Sequence, residues 1–146
     1  MATINPYITF NGNCEEAFLF YKSVFGGDFR YVGRFNEMPK NPDYAVDKAD
    51  LEKIMHISLP ISKETILMGS DTSEAFGGPV NQGSNFSISI TVDTIEETTR
   101  IFNALSKGGN ITMPLEKTFW GSFFGTFTDQ YGIHWMVGCD VENNTQ

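Results

Sequence analysis

The side chains with chemistry to offer are two histidines, two cysteines and a few tyrosine, threonine and tryptophan residues. His56 lies in a strand-like run, KIMHISL at 53–59, on a face with Ile54 and Ser58, while Met55, Ile57 and Leu59 take the opposite face. If the mixed face lines a cleft, His56 is the best-placed general base, because imidazole titrates near neutrality. The other reading is a partly buried, hydrogen-bonded structural histidine. His134 shares a strand face with Met136; it either enters the same cleft or sits near solvent at the start of its strand. Tyr7 and Thr9 alternate with Ile8 and Phe10. If Ile8 and Phe10 pack under a helix, Tyr7 and Thr9 face the cleft, and the Tyr7 hydroxyl can orient a ligand. Trp120, between Phe119 and Gly121 at the opening of a strand, either stacks on a flat ligand or packs against its neighbours. Trp135 points away from Met136 and is assigned to the core. Cys14 stands in the first turn of a helix, where the dipole lowers a thiol pKa, but Glu15 and Glu16 oppose that, and it reads as packing. Gly77-Gly78-Pro79 is turn chemistry, since no Lys-Ser/Thr follows to complete a phosphate cradle.

The elements that must position these residues come in two similar sets. NCEEAFLFYKSVFGG at 13–27 and TIEETTRIFNALSKGG at 94–109 both begin with a capping residue followed three positions on by Glu: Asn13 with Glu16, and Thr94 with Glu97. Both carry an apolar stripe at i, i+3, i+4, i+7: Ala17, Phe20, Tyr21 and Val24 in the first, Thr98, Ile101, Phe102 and Leu105 in the second. Both end in a glycine pair suited to a left-handed cap. A strand precedes each helix, at 4–10 and at 86–92, where Phe86, Ile88, Ile90 and Val92 alternate with Ser87, Ser89 and Thr91. Three strand-like runs follow each helix: 28–36, 53–59 and 64–70, then 110–116, 121–128 and 133–139. Asp129-Gln130-Tyr131-Gly132 supplies hairpin chemistry between the last two. The expected fold is therefore α+β in one domain. Module 1 is a βαβββ unit at 1–70, a Gly/Pro-rich linker spans 71–83, module 2 is a βαβββ unit at 84–140, and 141–146 is a tail. One helix covers only one face of a four-stranded sheet. Eight curved strands enclosing a cleft, with a helix outside each module, satisfies both sheets. Whether the modules pair within one chain or between chains is left open by the sequence. The loop at 37–52, with Pro39 and Pro42, reads as a solvated excursion.

Composition narrows the function. The formal charge of −8 disfavours nucleic acid and anionic membrane surfaces, both of which need clustered Lys and Arg. Two cysteines without a CxxC give neither a disulfide framework nor a cysteine zinc site. No apolar run approaches a membrane span, and MATINPYITF lacks the basic and apolar regions of a secretory signal, so a cytoplasmic protein with reduced thiols is expected. Aromatics reach 14%, with 13 Phe, which calls for an aromatic core, an aromatic-lined cavity, or both.

The repeat, with NPYITFNGNCEEAFLFYKSVFGG, LMGSD, FSISITVD, GGNITMPLEKTFWG and FGTFTDQYGIHWM, resembles the vicinal oxygen chelate superfamily of glyoxalases, bleomycin-resistance proteins and extradiol dioxygenases, and within it the PhnB-like branch. The likeness covers almost the whole chain. Some catalogues label this branch a demethylubiquinone methyltransferase, but the chain lacks the glycine-rich strand-to-helix turn and following acidic residue of a nucleotide-type cofactor site. Metal-dependent members of the superfamily hold an ion with four side chains, typically His, Glu, His, Glu, one from the first and one from the last strand of each module. The resemblance places these positions at Asn5 or Pro6, Met68, Ser87 and Met136. A thioether is soft, and Ser and Asn are weak donors for such ions, so neither a catalytic metal nor any other cofactor is expected. The resemblance then implies a metal-free protein whose Met- and aromatic-lined pocket binds a hydrophobic or aromatic small molecule, with Tyr7, Thr9, Met68, Ser87, Trp120, His134 and Met136 as contacts. The alternatives are a glyoxalase-like lyase or isomerase, metal-assisted or using His56 as base, and a structural or regulatory dimer with a vestigial cavity. Exposed sheet edges and the superfamily's habit of pairing modules point to a homodimer.

Overall fold

A computed structural model describes residues 1–40 and 45–141. The fold is α+β with two βαβββ modules, and the contacts divide the chain into compact units at Met1–Asn81 and Gln82–Gln146. In module 1, β1 (Tyr7–Phe10), β2 (Tyr31–Arg34), β3 (Ile54–Pro60) and β4 (Ile66–Asp71) form a sheet in the order β1-β4-β3-β2, with α1 (Cys14–Phe25) packed on one face. In module 2, β5 (Ile88–Thr91), β6 (Asn110–Lys117), β7 (Ser122–Thr128) and β8 (His134–Asp140) repeat that topology as β5-β8-β7-β6, with α2 (Ile95–Leu105) on one face. The first strand of each module pairs in parallel with the last, and the remaining pairs are antiparallel. Each sheet therefore has one face under its helix and one open face.

Alternation decides which residues go where. Ile8 and Phe10 are buried on the helix side and Tyr7 stays exposed, as the period-2 pattern predicts. Trp135, Val137 and Cys139 of β8 are buried while Met136 lies on the open side. The α2 stripe Thr98, Ile101, Phe102 and Leu105 is buried as expected. In α1 the stripe is wider. Phe18 is fully buried, edge-on to Phe10 at 6.1 Å and to Tyr21 at 5.5 Å, whereas Phe20 is only half-buried. The helix has rolled to place its largest shape-matched ring against β1 and β4.

Two capping devices differ between the modules. Thr94 Oγ1 accepts the Glu97 N–H at 3.0 Å, as its spacing predicts. Asn13 makes no side-chain cap bond; Asp71, at the end of β4, does that work instead. Its Oδ1 accepts the Gly12 and Cys14 N–H groups at 3.0 and 2.9 Å, and its Oδ2 accepts the Ile54 N–H at 2.9 Å. Arg34 of β2 holds the exposed side of α1 through a bidentate pair with Glu15 at 3.0 and 2.8 Å. Its hydrogen bonds hold the Glu15 carboxyl below the usual carboxylate range.

One register shift matters for the site. Val32 pairs with Ile57 and Gly33 with His56, but Arg34 pairs with Ile54, so Met55 is the extra residue of a bulge. Ile54 consequently turns inward and is fully buried. This corrects the expectation that His56 shares a face with Ile54; its face-mate is Ser58. In the 37–52 loop, Lys48–Asp50 form a 3-10 turn with Asp50 buried and paired to Lys53 at 2.7 Å, while 41–44 lie outside the described residues. Segment 72–80 folds back on module 1 through a reciprocal pair of bonds between the Asn11 amide and the Val80 backbone. Of the tail, 142–146 lie outside the described residues.

Candidate functional site

The open face of module 1 is a row that crosses all four strands: Tyr7 beside Met68, Met68 beside Ser58, Ser58 beside Tyr31. Thr9 continues the same face of β1, opposite Ser70. The long Tyr7 side chain crosses β4 to reach His56, with its hydroxyl 3.1 Å from Nδ1 and the rings stacked at 5.6 Å. Tyr31 approaches the imidazole from the other side, at 5.8 Å. The structure thus brings together Tyr7, His56 and Met68, which the sequence singled out, and adds Tyr31, which it did not. The missed signal was Gly33 two residues after Tyr31, on the same strand face. A glycine beside an aromatic on an exposed strand face marks a ring lying along the backbone.

The open face of module 2 repeats the row with different chemistry: Ser89 beside Met136, Met136 beside Thr126, Thr126 beside Met113. Met68 and Met136 occupy matching places in the two modules. A hollow of about 200 Å³ opens here, its lining including Ser89, Trp120, Ser122, Phe124 and Met136. Trp120 belongs to the turn between β6 and β7 and is 61% exposed, with its ring 6.1 Å from Phe124. Phe124 is an aromatic on the otherwise polar face of Ser122, Thr126 and Thr128, a break in polarity that GSFFGTFT carries. Gly138 faces it directly; a Cβ there would fall 2.5 Å from Phe124 Cβ, so the glycine makes the room that the phenyl ring occupies. Ser87 lies just ahead of β5, and the residue paired with Met136 is Ser89.

His134 is tied at both ring nitrogens. Nδ1 is 2.9 Å from Thr128 Oγ1, and Nε2 donates to the Gly83 carbonyl at 3.1 Å. It is not part of the hollow's lining. Cys14 is buried; burial pushes its thiol far up, and the Asp71 and Glu15 carboxylates push it further. Trp135 is in the core, as assigned, with its indole N–H donated to Asp129 Oδ2 at 2.8 Å. Asn5, one of the two candidates for the first metal-binding position, uses its side-chain oxygen to accept the Ile66 N–H at 2.9 Å. Among the described residues no three His, Cys, Asp or Glu side chains gather as a metal set. Among them, too, no helix is long and apolar enough to cross a membrane.

The fold of two βαβββ modules is shared with a glyoxalase/bleomycin resistance protein from Albidiferax ferrireducens T118, at 13% identity and a TM-score of 0.59 over 92% of this chain and 96% of that one. The chain belongs to the family described as 3-demethylubiquinone-9 3-methyltransferase, whose sequence profile matches residues 2–138. It is 30% identical to Protein YjdN of Escherichia coli K12 over 98% of this chain and 99% of that one. It is 40% identical to the solved protein PA1353 from Pseudomonas aeruginosa, with a TM-score of 0.83 over 96% of this chain and 98% of that one. A Bacillus cereus structure titled a putative 3-demethylubiquinone-9 3-methyltransferase, PhnB protein, shares the fold at 24% identity and a TM-score of 0.72, over 94% and 99% of the two chains. A methyltransferase of nucleotide-cofactor type would need free backbone N–H groups at a strand-to-helix turn. Here the β1–α1 turn is filled by the Asp71 carboxylate and the β5–α2 turn is capped by Thr94. The carboxylate that occupies the first of these turns does not fit an anionic cofactor there.

Proposed function

We propose that this protein binds a hydrophobic or aromatic small molecule on the open sheet face of module 2, without a metal ion. The observation that carries this reading is the hollow between Trp120, Phe124 and Met136. An exposed indole and a part-exposed phenyl ring beside a thioether offer stacking and an adaptable floor. The soft side chains at Met68 and Met136 support the metal-free part of the reading.

The two tryptophans make a test possible, because Trp120 is 61% exposed and Trp135 only 2%. Titration with planar aromatics such as 2-ethylnaphthalene should move the Trp120 indole N–H resonance saturably and leave that of Trp135 nearly still. Trp120→Ala should weaken binding about tenfold, the scale of one aromatic contact. A static Trp120 signal across a panel of such compounds ends the reading.

The protein is further proposed to act in the cytoplasm as a homodimer. Two free, buried cysteines support a reducing compartment. Support for pairing comes from the edge strand β6, where Ile111 and Met113 are each 50% exposed. Sedimentation equilibrium at micromolar concentration should give twice the chain mass; a monomer there removes the homodimer from the proposal.

A further inference from the structure

The ring cluster on module 1 has a defined chemistry of its own. A Cβ built at Gly33 would fall 2.5 Å from the Tyr31 hydroxyl oxygen and 2.7 and 2.8 Å from two ring carbons. The hydroxyl edge of the Tyr31 ring therefore lies against Gly33, in the space a side chain would take, and Gly33 is the strand partner of His56. Tyr31 is tilted at 40° to the imidazole and Tyr7 is stacked at 27°, so His56 stands between two phenol rings. Both rings remain nearly half exposed, at 48% for Tyr7 and 46% for Tyr31.

The Tyr7 hydroxyl is bonded to Nδ1. A phenol is a far stronger acid than a neutral imidazole N–H, so in the neutral pair the phenol donates and Nδ1 accepts. The ring hydrogen is then on Nε2. Among the described residues no hydrogen-bond partner for Nε2 is found. His56 in this state presents a donor, not a basic lone pair, beside two aromatic faces and the Met68 thioether.

We infer that Tyr7, His56 and Tyr31 form a second recognition site, on module 1, for a planar aromatic molecule bearing a neutral carbonyl oxygen. The rings stack on the ligand and Nε2–H donates to the oxygen. A formal charge of −8 repels anions, which ranks a ketone or amide above a carboxylate. The inference rests on the reading that the protein binds aromatic small molecules, but it concerns a different face and a different selectivity.

The test uses the full chain at pH 8.5, where an ordinary imidazole is neutral. Ring-nitrogen NMR should show the Nε2–H tautomer for His56 in the free protein. Titration with 2-acetylnaphthalene and with 2-ethylnaphthalene, which lacks the oxygen, should perturb the His56 ring signals about tenfold more tightly for the ketone. His56→Phe keeps an aromatic face and should remove that preference. Tyr31→Leu should weaken both ligands several-fold without changing the tautomer. An Nδ1–H tautomer, or a ketone preference that survives in His56→Phe, overturns the inference. A His56 signal that stays still while Trp120 responds overturns it alone; both staying still also removes the small-molecule reading.

Discussion

An Asp71→Ala variant is expected to lose about 4 kcal/mol of stability, because three buried or part-buried N–H groups lose a charged acceptor at once. Cys14 begins α1, Gly12 lies in the turn just before it and Ile54 begins β3, so one carboxylate clasps the helix start to the sheet. It also places negative charge at the positive end of the helix. For a chain of this length a loss of that size lowers the melting temperature by roughly 10 °C. Asp71→Asn keeps one acceptor oxygen and should lose about half as much. Amide exchange should quicken first at Gly12, Cys14 and Ile54. A melting temperature within a degree of the parent would show that water replaces the carboxylate at no cost.

Module 2 holds the second large effect. Asp129 is buried; its Oδ1 accepts the Tyr131 and Ile133 N–H groups at 2.8 and 3.0 Å, and its Oδ2 accepts the Trp135 indole. The first two bonds shape the β7–β8 turn and the third ties that turn to the core. Asp129→Ala should cost about 3 kcal/mol, since each orphaned buried donor costs about 1 kcal/mol or more. Asp129→Asn separates the two roles. Its oxygen can still serve the turn, but its amide then faces the indole N–H donor to donor. Combining Asp129→Asn with Trp135→Phe should therefore cost less than the sum of the two single changes. Strict additivity of the denaturation free energies would mean that the indole bond contributes nothing.

Much of this architecture is legible in the chain because its signals are local. Thr94 and Glu97 stand three residues apart and cap α2 as their spacing predicts. Alternation in β1 and β8 separated Tyr7 and Met136 from Ile8 and Trp135 correctly. The features that escaped are set by partners distant in sequence. Asn13 has the residue type for a cap, yet the cap comes from Asp71. The bulge at Met55 depends on how β2 meets β3, and no property of KIMHISL announces it. The stripe of α1 admitted Phe18 because β1 and β4 offer a surface that fits it, which helical spacing cannot reveal. Of the candidate site, Tyr7, His56, Met68, Trp120 and Met136 were readable from strand period or resemblance. Tyr31 is harder to read, because its place depends on Gly33 and on the strand pairing that sets Gly33 opposite His56, while the room for Phe124 comes from Gly138 on the neighbouring strand.

The two carboxylate clasps also differ in reach. Asp129 binds groups two to six residues ahead of it, whereas Asp71 closes on Cys14 across 57 residues. On the ribosome, the hairpin of module 2 can lock almost as soon as it emerges. The first helix of module 1 must wait, its leading amides satisfied only by water, until translation has delivered the whole of β4. A chain whose residue 71 has not yet been released from the ribosome would then expose an uncapped helix to chaperones and proteases.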